Sequence, residues 1–136
     1  MIIVITDGDD KISRHSPTDV MELAQRMNVM IYAISVNALG SRPEASDTFD
    51  RILETIATET GGVALFPTKL KKLPANFNLI DDELHSQYSV AYRSTNPKRD
   101  GSYRTIQVQA KDNQYSVRSR SGYYAPQKSS ASSISN

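Results

Sequence analysis

The 136-residue sequence has no cysteine and no tryptophan, and its charges nearly cancel at a formal +1. Without cysteine there is no disulfide, thiolate nucleophile or zinc–thiolate site. With only two histidines, His15 and His85, a classical zinc site is not expected either, so oxygen ligands are the remaining metal chemistry. A balanced charge creates no global field for nucleic acid or an anionic membrane. The apolar runs are also much shorter than the roughly 18 residues of a membrane span. We therefore expect one globular domain, with no nucleic-acid partner and no membrane insertion.

The first residues are apolar and β-branched. Ile2 to Ile5 form a short run that ends at Thr6-Asp7-Gly8, without the basic and small-residue segments of a secretory signal. This pattern is typical of a strand that is buried on both faces inside a parallel sheet. A chain that begins within such a strand is expected to be truncated.

Amphipathic helices and short strands alternate after this strand. Ser16-Pro17 predicts a helix start, because serine caps the free N–H groups and proline suits the first turn. We expect an apolar stripe on this helix, then a buried strand over 29–36, a second helix closed by Gly61-Gly62, a strand over 63–66 and a third helix. The residues of the helical stripes are Val20, Leu23, Ala24 and Met27; Phe49, Ile52, Leu53, Ile56 and Ala57; and Phe77, Ile80 and Leu84. The order βαβαβα predicts an α/β fold, a Rossmann-like, partly parallel sheet flanked by helices.

The periodicity changes to two after Gln87. Apolar and polar residues alternate over 88–92, 106–110 and 115–117, with turn-forming residues between them. This pattern predicts an antiparallel three-stranded meander. The expected organisation is an α/β unit over 1–86, a β extension over 87–126 and a disordered serine-rich tail over 127–136.

Three acids cluster after the first strand. Asp7, Asp9 and Asp10 lie at the expected carboxyl edge of the sheet, where ligands bind in open α/β folds. A divalent cation would relieve their repulsion, and Asp7 is the first candidate metal ligand with Asp9 and Asp10 as auxiliaries. The alternative is a solvated acidic loop in which Asp7 bonds its own backbone.

An enzyme interpretation uses the same acids. Asp7-Gly8-Asp9 after an apolar strand resembles the Asp-x-Asp motif of Mg²⁺-dependent dehalogenase-type phosphatases, in which the first acid attacks phosphorus and the second transfers a proton. The resemblance is incomplete, because that family has threonine or valine at the fourth position of the motif, whereas position 10 here is Asp and position 11 is Lys. The Asp81-Asp82 pair, offered as the further acids, is expected to face solvent from a helix.

Basic residues and tyrosines interleave in the second half. Arg118 and Arg120, two residues apart, would point to one face of a strand. With Arg104 and the interleaved tyrosines they could form a strip that binds phosphate or single-stranded nucleic acid. Lys69, Lys71 and Lys72 form a second basic segment. Tyrosine also favours strands for packing reasons, and the balanced charge favours a solvated face instead.

Several segments together resemble a known domain. Residues 1–86 are similar to the second half of a von Willebrand factor type A domain, and the later segments are similar to the β extension of a bacterial von Willebrand factor A-related family. The segments that carry the resemblance are 3–8, 29–34, 52–67, 84–88, 92–97, 99–101 and 122–126.

The resemblance implies a protein-binding, adhesion-type module without enzymatic activity, from an exported or cell-surface parent. It assigns Asp7 to a metal-ion-dependent adhesion site. That site also needs an Asp-x-Ser-x-Ser loop and a separate threonine earlier in the domain, and residues 1–136 contain no such loop. We therefore expect Mg²⁺ in a full-length domain and weak or absent Mg²⁺ binding by this chain.

An inner strand without its neighbours has unpaired backbone groups beside apolar side chains. Pairing with the same strand of a second copy would cover that flank, as would the C-terminal β segment. We expect a homo-oligomer formed through the first strand, with an additional protein ligand whose identity the residues do not give.

Overall fold

The computed structural model describes residues 1–7, 13–39 and 46–127. Strands and helices alternate up to residue 85, and two short strands follow. The elements are β1 (Ile2–Thr6), α1 (Pro17–Arg26), β2 (Ile31–Ser35), α2 (Ser46–Thr60), β3 (Ala64–Leu65), α3 (Leu73–His85), β4 (Tyr103–Thr105) and β5 (Gly122–Tyr124), with 3₁₀ turns at Asn37–Leu39 and Leu70–Lys72. No helix in the described ranges is long and apolar enough to cross a membrane.

The first three strands form a parallel sheet in the order β1-β2-β3. Ile2 pairs with Ile31 and Thr6 with Ser35, and Ala33 pairs with Ala64 on the other side of β2. Both crossovers run in the same direction, so right-handed connections place α1 and α2 on one face, where they contact each other. The predicted α/β class, a parallel sheet flanked by helices, is confirmed.

The core lies on both sides of β2, whose five residues are all buried. On the α1–α2 face, Ala24, Ile31 and Ile56 pack together, with Val4, Met21 and Ile52 at their margin. On the opposite face, Tyr32 and Ile34 pack against Ile80 of α3. The prediction of a second, buried strand is therefore confirmed, although β2 is shorter than the predicted 29–36.

Helix α1 begins where the sequence predicts. Ser16 Oγ accepts from the N–H of Asp19 at 3.2 Å, and an Asp19 carboxylate oxygen accepts from the N–H of Ser16 at 2.8 Å. Both contacts satisfy N–H groups that a helix start leaves unpaired. Pro17 occupies the first turn, as expected.

The predicted apolar stripe of α1 is wrong in its orientation. Only Ala24 of that stripe is buried, whereas Val20, Leu23 and Met27 are 40%, 59% and 65% exposed. The buried side of the helix instead carries Gln25, whose amide finds hydrogen-bond acceptors on neighbouring elements. A polar side chain is stable in that position because its donors are satisfied, a condition that hydrophobic periodicity does not detect.

The prediction that β1 is buried on both faces is also wrong. Ile2 and Ile5 are more than half exposed, at 51% and 56%, and Ile3 is 37% exposed. In the described part of the chain β1 pairs only with β2, and α3 covers Tyr32 and Ile34 of β2. Val4 alone reaches the core from the middle of this strand.

Helix α2 packs and ends as predicted. Leu53, Ile56 and Ala57 are buried. Gly61 follows the helix with φ +89°, a left-handed conformation that favours glycine, and Gly62 donates to the carbonyl of Ala57 at 2.9 Å. A Cβ on Gly62 would overlap the main-chain oxygen of Ile31, so this position also sets the close approach of α2 to β2.

The predicted three-stranded meander is not confirmed. Within residues 87–127 the structure has one antiparallel pair, in which Tyr103 faces Tyr124 and Thr105 faces Gly122. The alternating segments 88–92, 106–110 and 115–117 form no strand. Alternation indicates a strand with one exposed face, but it does not identify the strand that would pair with it. Tyr88 and Val90 remain 92% and 78% exposed. Of the predicted serine-rich tail, residues 128–136 lie outside the described ranges.

Candidate functional site

The carboxyl ends of β1 and β2 meet at one edge of the sheet. Thr6 and Ser35 are register partners, and the N–H of Val36 donates to the carbonyl of Thr6 at 2.8 Å. Asp7 follows Thr6 directly and is exposed at this edge. The structure therefore places Asp7 where the sequence predicts it. Asp9 and Asp10 lie outside the described residues.

The end of β2 is connected to α2 by a short hydrogen bond. The buried hydroxyl of Ser35 donates to Asp50 Oδ1 at 2.6 Å, and the N–H of Asn37 reaches Ser35 Oγ at 3.4 Å. An ionised acceptor strengthens such a bond and holds the carboxylate in place. Besides Asp7, Asp50 of α2 is thus a second acid near the carboxyl end of the parallel sheet. The hydrophobic periodicity of the sequence did not identify it.

The described residues do not by themselves fit a Mg²⁺ site. No group of three histidine, cysteine or acidic side chains that could hold a metal occurs in the ranges 1–7, 13–39 and 46–127. Mg²⁺ requires a near-octahedral oxygen shell, and Asp50 already accepts from Ser35. The Asp81-Asp82 pair is exposed on α3, as predicted, where the Asp81 carbonyl contacts His85 Nδ1 at 2.8 Å.

An apolar groove of about 280 Å³ lies between α1 and α2. Its walls include Pro17 and Met21 of α1 and Ile52 and Ile56 of α2, with Arg51 among its lining residues. Apolar walls with one cationic side chain would admit an aliphatic group that carries an acid.

The structure separates two of the basic residues that the sequence placed on one strand face. Arg118 Nη1 donates to both carboxylate oxygens of Glu83 on α3 at 2.6 Å. Arg120 Nη1 donates to Asn28 Oδ1, after α1, also at 2.6 Å. Lys69, Lys71 and Lys72 are exposed before α3. The basic residues that would form a phosphate-binding strip therefore contact different elements of the fold.

Arg104 and Tyr123 form a separate polar cluster on the β4–β5 pair. Arg104 Nη1 lies 3.4 Å from the Tyr123 hydroxyl, and the guanidinium carbon is 5.9 Å from the ring centroid. Hydrogen bonds with Ser94 and Tyr92, followed by Arg104, lower the pKa of Tyr123 to about 8. The environment thus favours the negatively charged phenolate. The sequence suggested these residue types but gave no signal for this pairing.

The chain matches no family model, curated protein or solved structure.

Proposed function

We propose that this chain is a non-enzymatic protein-binding module of the von Willebrand factor A type. Residues 1–86 form its Rossmann-like α/β unit and residues 87–126 its extension. Strand β1 is its contact surface, and the partner on that strand is a second copy of the chain. The observation that carries the proposal is the exposure of three isoleucines on one edge strand: Ile2, Ile3 and Ile5 are all more than one third exposed.

Within the described residues, only one hydrogen-bonding edge of β1 is paired with another strand. Ile2 donates to the Met30 carbonyl at 2.9 Å, and the Thr6 carbonyl accepts from Val36. Because N–H and C=O directions alternate along a parallel strand, the backbone groups of Ile3 and Ile5 point away from β2. An apolar edge with such groups is a template for another strand.

A second copy fits this edge because β1 contains no charged residue between Ile2 and Thr6. In antiparallel pairing about a two-fold axis at Val4, Ile3 of one copy lies opposite Ile5 of the other. No like charges then face each other within the strand, and the two edges are self-complementary. The small net charge of +1 adds little repulsion between copies.

The resemblance to the von Willebrand factor A family supports the remaining part of the proposal. Asp7 lies at the carboxyl edge of the sheet, where that family binds a cation and its protein ligand. In this chain we assign Asp7 as a single carboxylate of an incomplete adhesion site, with Asp9 and Asp10 as auxiliaries. Mg²⁺, when bound in a complete site, would supply a positive charge for an acidic group of the ligand.

Sedimentation equilibrium of the purified chain tests the proposal. We expect a monomer–dimer equilibrium that Ile5→Lys shifts to monomer, because two lysines would then enter an apolar edge. Leu70→Lys is the matched control: Leu70 is 69% exposed and belongs to the 3₁₀ turn before α3, not to β1. A monomer at all concentrations, or an equal effect of both variants, would refute pairing through β1.

A further inference from the structure

A polar pocket of about 410 Å³ lies between the segment 92–96 and the β4–β5 pair. Its lining residues include two arginines, Arg93 and Arg104, and three residues with hydroxyl groups, Tyr92, Ser94 and Tyr123. Among the described residues, no carboxylate lines it. A site with two arginines, which stay positively charged, several hydroxyl groups and no acid is typical of anion binding.

The Arg104 side chain is held in this pocket by neutral acceptors. Nη1 donates to Ser94 Oγ at 3.3 Å and to the Asn96 carbonyl at 3.0 Å, and Nη2 donates to the Lys98 carbonyl. These oxygens fix the guanidinium plane without cancelling its charge. A guanidinium that is already oriented loses less entropy when it binds an oxyanion.

The bonding capacity of Arg104 is not used up. Its Nε is the one buried side-chain nitrogen or oxygen of the described residues that has no hydrogen-bond partner. Of the five N–H groups that arginine offers, Nε–H and one N–H of Nη2 thus have no acceptor in the part of the chain that the structure describes. Hydrogen bonds from Ser102, and to a smaller extent the charge of Arg104, lower the pKa of Asp100. One oxygen of that carboxylate, Oδ1, accepts from the N–H and the hydroxyl of Ser102 at 3.0 and 2.6 Å.

Two arginines lie close to the Tyr123 ring. The guanidinium carbons of Arg104 and Arg120 are each 5.9 Å from its centroid, and the ring of Tyr92 meets it edge to face at 6.2 Å. Hydrogen bonds with Ser94 and Tyr92, followed by Arg104, lower the pKa of Tyr123 to about 8, so donors that line this pocket also stabilise negative charge on oxygen. An anion that enters would occupy the same positive field.

We infer that this pocket binds a phosphate or carboxylate oxyanion, with the guanidinium groups of Arg93 and Arg104 and the hydroxyls of Ser94 and Tyr123 as donors. The planar guanidinium matches both oxyanions. The inference does not depend on pairing through β1, since the pocket residues all lie between 92 and 123.

A nitrogen–proton NMR titration of the intact chain with sodium phosphate, and separately with sodium acetate, tests the inference. Sodium chloride at matched ionic strength serves as the reference, and the pH is kept below the pKa of Tyr123 so that its hydroxyl stays a donor. We expect saturable shifts of the amides at 92–96, 104 and 123 with at least one oxyanion. The better ligand identifies the class, phosphate or carboxylate.

Variants at the two arginines complete the test. We expect Arg104→Gln to weaken binding by about tenfold or more, the effect of losing a charged hydrogen bond. Arg93→Gln weakens it as well and preserves the fold, because Arg93 is exposed. Lys71→Gln removes the same charge outside the pocket and leaves the affinity unchanged. Shifts no larger than those with chloride, or equal weakening by Arg93→Gln and Lys71→Gln, would overturn the inference.

Discussion

Gln25 donates a hydrogen bond from its buried side-chain amide to the main-chain oxygen of Glu59, at 3.1 Å. The same nitrogen lies 3.4 Å from the Tyr103 hydroxyl and 3.5 Å from Ser121 Oγ. One side chain of α1 thus connects α2 with both segments of the C-terminal β pair.

Replacing Gln25 with leucine removes this amide donor, while the Glu59 oxygen keeps its bonds from the N–H and the hydroxyl of Ser121, both at 3.3 Å. We expect Gln25→Leu to lower the free energy of unfolding by about 0.5–1.5 kcal/mol, the usual net contribution of a hydrogen bond. Urea denaturation measures the change. Gln107→Leu, at an exposed position, should alter stability by less than about 0.5 kcal/mol. Equal stability of Gln25→Leu and the wild type would show that the contact is energetically neutral.

The capping box of α1 gives a second prediction. Ser16→Ala removes the acceptor for the N–H of Asp19, and we expect a loss of about 1 kcal/mol in unfolding free energy. The control Thr18→Ala changes an exposed residue one position inside the helix. If thermal denaturation gives the same midpoint for Ser16→Ala and Thr18→Ala, the cap does not stabilise the helix.

The outcome for α1 also illustrates what the sequence can determine. Its start was predictable because Ser16, Pro17 and Asp19 act through local contacts that depend only on sequence spacing. Its orientation was not predictable, because an acceptor of the Gln25 amide, Ser121, lies far away along the sequence. Propensity and periodicity contain no information on such distant partners.

The C-terminal strands were missed for the same reason. A Cβ on Gly122 would overlap the Tyr103 ring and the Arg104 carbonyl, so the β4–β5 pair requires glycine at this position, beside the Tyr103 ring. This requirement appears only when both strands are in place. Asp7, in contrast, was placed correctly at the sheet edge, because the end of a parallel strand follows from its apolar run.

The titration of Tyr123 gives a third prediction. Its pKa is about 8 in the folded chain, below the ordinary value of 10.0. A lowered pKa means that folding favours the ionised form. The stabilising contribution is therefore absent below pH 8, grows as the pH rises from 8 to 10 and is complete above 10.

Ultraviolet absorbance of phenolate checks this prediction. We expect one tyrosine to ionise near pH 8, and Tyr123→Phe to remove that step. Tyr115→Phe, which changes a residue that is 66% exposed, should leave the step in place. A wild-type titration without any ionisation near pH 8 would contradict the assigned environment.

A fourth prediction concerns the metal and the phosphatase alternative. We expect calorimetric titration with Mg²⁺ to give only weak binding, in the millimolar range or above, because one assigned carboxylate with two auxiliaries leaves most of the shell to water. We also expect no hydrolysis of p-nitrophenyl phosphate with or without Mg²⁺. Turnover that disappears in Asp7→Asn would instead favour the phosphatase, and tight stoichiometric Mg²⁺ binding lost in the same variant would indicate a complete site.

Hydrogen exchange at the amides of Ile3 and Ile5 tests the central claim most directly. These N–H groups point away from β2, so pairing with a second copy is what would protect them. We predict that their exchange slows as the protein concentration rises and returns to a fast rate in Ile5→Lys, while the buried amides of β2 remain protected throughout. Fast exchange at Ile3 and Ile5 at every concentration would contradict the account.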